Sequence, residues 1–335
     1  MPHLVYMARA LALARQAEGR TWPNPMVGCV IVKDGRVIAE GLHQKPGQAH
    51  AELDAILNAN ESVRGATLYV NLEPCCHLDK RTPPCAQRLI AEGVQRVVIA
   101  NQDPNPRVSG RGIEMLRAAG IEVITGVMAD DGEQLNEVFF HNQRSSLPFV
   151  HLKLASSLDG QIAMPDGQSR WITGPEARAH AHHLRATHMA IAVGAGTVRA
   201  DNPQLTVRLP DYEGPQPVRV VFSRSGAIPP DCRLLSDADA ARTRVIVGET
   251  LDEALTALYA AGICNLLIEG GARLATAFLQ AERVQRVSHY LNPSYLGTGL
   301  PAIGDYGLND LHQRITLKHV KYTVLGDDIV VTGRL

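Results

Sequence analysis

The sequence predicts an α/β protein of two domains, on three observations. Stretches with strand-like apolar patterning alternate with stretches of helical period, which implies sheets covered by helices. The chain has 335 residues, more than the roughly 250 to 300 at which a single core stops growing. Between the halves, residues 141–149 read "HNQRSSLPF", polar with a proline, and the fresh apolar strand "FVHLKLA" begins at its end, which puts a seam there.

The elements follow in order. In "MPHLVYMARALALARQAEG", Leu4, Met7, Ala8 and Leu11 recur at helical spacing with Arg9 and Arg15 between them, a helix rather than a targeting segment. "MVGCVIVKDGRVIAEG" is a hairpin, because Asp34-Gly35 supplies the positive φ that a tight turn demands. "HAELDAILNANES" reads as a helix, "ATLYVNLEP" as a strand, "CAQRLIAEG" as a helix closed by Gly93, and "VQRVVIA" as a strand. "GRGIEMLRAAG" is helical and "IEVITGV" is expected to be a short buried strand. Past the seam the alternation resumes through "MAIAVGAGTV", "VRVVFS", "RVIVG", the helix "LDEALTALYAAG", the strand "NLLIEGG" and the helix "ARLATAFLQ". The chain closes on "ITLKHVKYTVL", Gly326-Asp327-Asp328 and "IVVTGRL", a hairpin.

Composition narrows the function. With 45% hydrophobic and 20% charged residues the chain is globular. Its 33 basic and 34 acidic residues leave no global field to hold nucleic acid or an anionic membrane. No run approaches the roughly 20 apolar residues of a membrane span. The expected location is the cytoplasm, where thiols stay reduced.

That expectation bears on "EPCCHLDKRTPPC", residues 73–85, where three of six cysteines gather with a histidine. A disulfide is disfavoured in a reducing compartment, so a metal is weighed against unligated cysteines. Upstream lies "HAE", His50-Ala51-Glu52, at the start of a helix. Zinc takes sulfur and imidazole ligands, and three protein ligands leave a fourth position for chemistry. His50, Cys75 and Cys85 supply three; Cys76 and His77 compete for a place. Two thiolates cancel the charge of the ion, so a base is needed beside it, and Glu52 is the candidate. Residues two apart in a helix face nearly opposite ways, so His50 must sit where the backbone is not yet helical. Cys75, just after Pro74, is placed to open the next helix and gain thiolate character there. His-x-Glu followed by Pro-Cys-x-x-Cys is the pattern of zinc nucleobase deaminases, and only the ten-residue cysteine gap departs from it. A purely structural zinc would be the other reading.

These motifs, with "TWPNPMVGCVIV", "RTPPC", "DPNPRVSGRG", "LKLASSLDG", "SRWITG", "VGAGTVRADNPQLTVR" and "IEGG", resemble those of the bifunctional riboflavin-biosynthesis family, a pyrimidine deaminase fused to a pyrimidine reductase. The long cysteine gap is expected in that family, although Leu78-Asp79-Lys80 makes the loop one residue longer than usual and leaves open whether Lys80 or Arg81 meets the substrate. The resemblance implies a cytidine-deaminase-like three-layer α/β/α domain over residues 1–145 and a dihydrofolate-reductase-like α/β domain over 146–335. It implies zinc on His50, Cys75 and Cys85, with Glu52 carrying the proton during deamination of 2,5-diamino-6-(5-phosphoribosylamino)pyrimidin-4-one. Asn24 and His77 become contacts to ring and ribose phosphate. A homo-oligomer acting on this small molecule is implied as well. A nucleoside or tRNA deaminase with an unrelated tail is the alternative, and it calls for a basic face that the charge balance does not supply.

In the second half, read on its own terms, "VGAGT" at 193–197 and "EGG" at 269–271 are glycine-rich turns, and the latter joins a strand to a helix in a manner that suits phosphate. The third glycine and acidic residue of the dinucleotide fingerprint are missing, which rejects a Rossmann assignment. Arg185 and Arg208 have side chains that match phosphate oxygens two at a time. His180, His182 and His183 lack a thiolate or glutamate at ligand spacing and read as surface or packing residues. The resemblance implies NADPH reduction of the ribosyl chain to ribityl. Ala155, Trp171, Thr197, Asp201 and Ser223 would line the cofactor, together with Gly271, Ala272, Arg273 and Leu274. Ser169, Arg185, Leu205, Arg208 and Glu269 would hold the substrate. Ser223-Arg224 suits the adenosine 2′-phosphate, and Lys153 and Asp201 are the candidate proton donors.

Overall fold

The computed structural model describes residues 2–76 and 84–335; His77, Lys80 and Arg81 lie outside the described residues. The chain forms two compact units, Met1–Ser146 and Leu147–Leu335.

In the first unit the order is α1 (Pro2–Arg15), β1 (Gly28–Lys33), β2 (Arg36–Leu42), α2 (Ala51–Leu57), β3 (Thr67–Leu72), α3 (Cys85–Glu92), β4 (Arg96–Asn101), α4 (Arg111–Ala118), β5 (Glu122–Thr125), α5 (Ala129–Leu135) and α6 (Glu137–Ser145). Five strands pair in the order β2-β1-β3-β4-β5. Side chains of successive strand residues face opposite sides. Cys29, Ile31, Leu68, Val70, Val97 and Ile99 therefore meet α2, α3 and α4 through Ala55, Leu89 and Leu116. Val30, Tyr69, Val98 and Ala100 meet α1 and α5 on the other side through Met7, Ala10 and Leu135. The result is the three-layer α/β/α arrangement that was expected. A Cβ on Gly41 would lie 2.2 Å from the backbone nitrogen of Ala55, so the bare glycine is what lets α2 rest directly on β2. β5 corrects the sequence reading, since as the edge strand it has its two ends exposed and its middle only half-buried. Residues 141–145, read as a polar break, complete α6, whose buried Val138, Phe139 and Phe140 give it an apolar face just before the polar turn.

The second unit runs β6 (Phe149–Ser157), β7 (Gln161–Ala163), α7 (Pro175–Ala186), β8 (Ala190–Gly194), α8 (Ala195–Asp201), β9 (Val218–Ser223), α9 (Arg233–Ser236), β10 (Thr243–Val247), α10 (Leu251–Ala260), β11 (Asn265–Glu269), α11 (Ala272–Gln280), β12 (Arg286–Asn292), β13 (Leu300–Pro301), β14 (Lys318–Leu325) and β15 (Asp328–Arg334). Eight strands pair in the order β10-β9-β8-β11-β6-β12-β15-β14. From β10 to β12 all neighbours are parallel, while β15 and β14 join antiparallel as the closing hairpin. Both faces are covered, by α10 and α11 through Leu255, Leu258 and Phe278 on one and by α8 and α9 through Val198 and Leu234 on the other. Cys29, Cys232 and Cys264 are core residues. Among the described residues no helix is long and apolar enough to cross a membrane.

Candidate active sites

In the first unit, His50 caps α2 with an extended backbone (φ −72°, ψ 159°), the non-helical position that lets it and Glu52 face one site. Cys85 is the first residue of α3, capped by Pro84. Cys75 does not open that helix, contrary to the expectation; α3 begins at Cys85, and the helix start reaches Cys75 by another route. The backbone N–H of Cys85 donates to Cys75 Sγ at 3.4 Å, and the N–H of Ala86 to the Cys75 carbonyl at 3.1 Å.

His50 Nδ1 lies 3.6 Å from Cys75 Sγ and 3.3 Å from Cys85 Sγ. A tetrahedral zinc, with bonds of about 2.3 Å to sulfur and about 2.0 Å to nitrogen, needs ligand atoms roughly 3.5 Å apart. The three side chains thus fit that ion as they stand. Cys76 does not compete, because its thiol points to the Arg107 carbonyl at 3.9 Å. The Cys75 thiol is held down to about 3 by the hydrogen bond from Cys85, with His50 adding to it. That contact and burial push the Cys85 thiol up. Glu52 is only 4% exposed, and burial, then the nearby Cys75, pushes its carboxyl up, as a proton carrier needs.

Asn24 is oriented through His43. The Nδ1 of His43 faces the Ala49 carbonyl at 3.0 Å, so Nδ1 carries the proton and Nε2 accepts from Asn24 Nδ2 at 3.0 Å. The Asn24 Oδ1 is then the atom available as an acceptor. The segment 102–113 is held by Glu73. Its Oε2 accepts from the N–H groups of Asp103 and Gly110, and its Oε1 from those of Gly112 and Ile113, at 2.9 to 3.2 Å. Sequence reasoning missed Glu73 and His43, although Glu73 stands two residues before Cys75.

In the second unit a cavity of about 400 Å³ takes in Lys153, Ala155, Ser169, Trp171, Arg185, Arg208 and Glu269. Lys153, midway along β6, is the register partner of Glu269, the last residue of β11, so the pair lies at the carboxyl end of a parallel strand, where open α/β sheets bind ligands. Arg185 pairs with Glu269, and its Nη1 donates to the Thr206 carbonyl at 2.8 Å. Burial raises the Glu269 carboxyl, but Arg185 and Lys153 outweigh it and hold the group down to about 2. Burial pushes the Lys153 ammonium down, with Glu269 opposing. Trp171 is 68% exposed, with the Arg178 guanidinium 4.6 Å from its ring centre.

Other expected residues stand away from this cavity. A Cβ on Gly271 would come within 2.9 Å of Thr197 Oγ1, and one on Gly194 within 3.8 Å of Leu274 Cβ, so the starts of α8 and α11 face each other across bare backbone. Gly270 and Gly271 both have positive φ, and α11 presents its N–H groups just after them. That cradle fits the phosphates of a dinucleotide. Ser223 ends β9 and accepts from the Gly226 N–H at 3.0 Å, while the Asp201 carbonyl accepts from Arg170. Arg273 is exposed, Ala272 accepts from Thr276, and Leu205 packs in the core. His182 corrects the sequence reading, because it lines the cavity; His180 does pack, against the Tyr290 hydroxyl at 2.7 Å. Arg178 and His182 were missed as cavity residues, and their signal was the spacing i, i+4, i+7 with Arg185.

Comparison with known proteins agrees with this division. Residues 2–101 match the cytidine and deoxycytidylate deaminase zinc-binding region, and residues 148–331 match the RibD C-terminal domain. The chain is similar to the riboflavin biosynthesis protein RibD of Actinobacillus pleuropneumoniae, at 41% identity over 99% of this chain and 95% of that protein. It is 42% identical to RibD of Escherichia coli (strain K12) over 88% of each. Among solved structures, Acinetobacter baumannii RibD superposes with a TM-score of 0.91 at 38% identity, covering 100% of this chain and 99% of that one. A Thermotoga maritima diaminohydroxyphosphoribosylaminopyrimidine deaminase/5-amino-6-(5-phosphoribosylamino)uracil reductase gives 0.88 at 39% identity, over 99% of this chain and 98% of that one.

Proposed function

The chain belongs to the RibD family of riboflavin-biosynthesis proteins, and on that footing we propose how its residues divide two reactions. It is a deaminase and a reductase in one polypeptide, working with zinc and NADPH. We assign deamination to residues 1–145 and reduction to 146–335. The first substrate is 2,5-diamino-6-(5-phosphoribosylamino)pyrimidin-4-one and the second its deaminated product.

The observation that carries the first assignment is the His50, Cys75 and Cys85 triangle with Glu52 buried beside it. His50, Cys75 and Cys85 would hold the ion, which when bound would supply Lewis acidity to the water that attacks the amino-bearing ring carbon. Glu52 takes the proton of the attacking water and delivers it to the leaving amine, so that ammonia departs. Asn24 orients the ring through the acceptor that His43 leaves to it. His77 is kept as a phosphate contact.

For the reductase, Thr197 and Gly271 to Leu274 cradle the cofactor phosphates, Ser223 serves its adenosine end, and Ala155, Trp171 and Asp201 complete its site. NADPH supplies the hydride to C1′ when bound. As the C1′–O4′ bond breaks, the released oxygen needs a proton, and Lys153 gives it, favoured by its place in the cavity and its lowered pKa. Asp201 is not among the cavity's lining residues and is the weaker donor. Ser169, Arg185, Leu205, Arg208 and Glu269 form the substrate side. Six cysteines outside any disulfide suit the cytoplasm. A homo-oligomer without nucleic-acid or membrane partner completes the reading, on the resemblance and the near-zero net charge.

The test supplies each substrate separately. Glu52→Gln should abolish ammonia release yet still oxidise NADPH with the deaminated substrate. Loss of both activities in a folded, zinc-loaded protein would contradict the division.

A further inference from the structure

His182 lines the reductase cavity. Arg178, His182 and Arg185 share one face of α7, and all three line the cavity. The His182 Nδ1 accepts the backbone N–H of Arg208 at 3.2 Å. A backbone N–H only donates, so Nδ1 is the bare nitrogen and the neutral ring carries its proton on Nε2. That Nε2 makes no hydrogen bond among the described residues. Burial, followed by the charges of Arg185 and Arg208, pushes the imidazole down to about 4, so the ring meets its ligand uncharged.

The surroundings define the ligand. Lys153, Arg178, Arg185 and Arg208 face this space with Glu269 as the carboxylate among the lining residues, an excess of positive charge. Arg185 is already engaged by Glu269 on two nitrogens. Among the described residues the Arg208 side chain bonds only Thr206 Oγ1, at 3.3 Å, and its backbone holds His182. A guanidinium and a fixed Nε2–H donor thus belong to one small group of atoms. We propose that His182 is a substrate-binding residue of the reductase, and that its Nε2–H donates to the phosphate monoester beside the Arg208 guanidinium. The inference rests on assigning this cavity to the reductase substrate.

The experiment follows NADPH oxidation with 5-amino-6-(5-phosphoribosylamino)uracil and with the same riboside lacking its phosphate, while ammonia release by the same preparations reports folding. His182→Ala should raise KM for the phosphorylated substrate about tenfold or more and leave kcat within about threefold, as loss of one hydrogen bond to an anion requires. With the riboside the same variant should match the parent protein. His182→Gln puts a donor where Nε2 stood and should recover most of the loss; His182→Asn, which mimics Nδ1, should not. An equal penalty on both substrates, recovery by Asn alone, or no change in His182→Ala would each overturn the proposal. Arg208→Ala separates the two levels. If it reduces the phosphorylated substrate at full rate, the cavity assignment itself fails; if it is impaired while His182→Ala is not, only the role of His182 fails.

Discussion

The Arg185 guanidinium and the Glu269 carboxylate grip each other, Nε and Nη2 donating to the two oxygens at 2.6 and 2.8 Å with side chains only 13% and 9% exposed. The resemblance put both on the substrate, with Arg185 on its phosphate. The pair makes a preassembled wall of the cavity, and Arg185 also ties down the 203–208 segment through the Thr206 carbonyl. Glu269→Gln should therefore cost about 3 to 5 kcal/mol of stability in the second unit, because a buried guanidinium loses its counter-charge. Thermal unfolding monitored with NADPH turnover checks this, and deamination should survive.

Glu73 gives a sharper case. All four of its partners are N–H donors, two to each oxygen, so an amide at this place would turn its own N–H₂ against two of them. Glu73→Gln is expected to destabilise the first unit by about 2 kcal/mol or more, nearly as much as Glu73→Ala. Denaturant unfolding of both variants measures it, and an unaltered midpoint for Gln would contradict it.

A pH prediction concerns His182, His188 and His289, each held down to about 4, first by burial. In the unfolded chain these rings titrate near ~6.5. As pH falls from ~6.5 to about 4 the unfolded state takes up protons that the folded state refuses, so stability is full above ~6.5 and declines through this window. Glu269, down to about 2, adds a second loss below ~4.3 on the same sign, because its folded form stays charged after the unfolded one is protonated. The melting temperature of the second unit should drop by several degrees between about pH 7 and pH 5. His188→Gln should flatten part of that slope.

Much of the fold and of the deaminase site was legible in the sequence, for reasons particular residues make plain. Short, mostly β-branched apolar runs such as Cys29 to Val32 and Val97 to Ala100, bounded by turn residues, read as strands buried on both faces. His50, Glu52, Cys75 and Cys85 carry chemistry at motif spacing. β12 was not readable, because its Ser288 and His289 look like surface residues and are instead satisfied inside the sheet. His151 Nε2 and Thr332 Oγ1 meet Ser288 at 2.9 and 3.0 Å, and Ser156 meets His289 at 2.8 Å. The helices over 129–145 were hidden by their polar residues, Asp130, Asp131 and Asn142 among them. The reductase cavity draws on β6, α7, β11 and the segment around Arg208, long separations that no local motif reports.

Metal content provides the most direct test of two separate sites on one chain. Elemental analysis of the folded parent protein should find zinc equimolar with the chain. Cys85→Ala should lose that zinc and all ammonia release while still oxidising NADPH with the deaminated substrate at the parent rate. Active parent protein with no bound transition metal, or a zinc-free variant that still deaminates, would contradict the account.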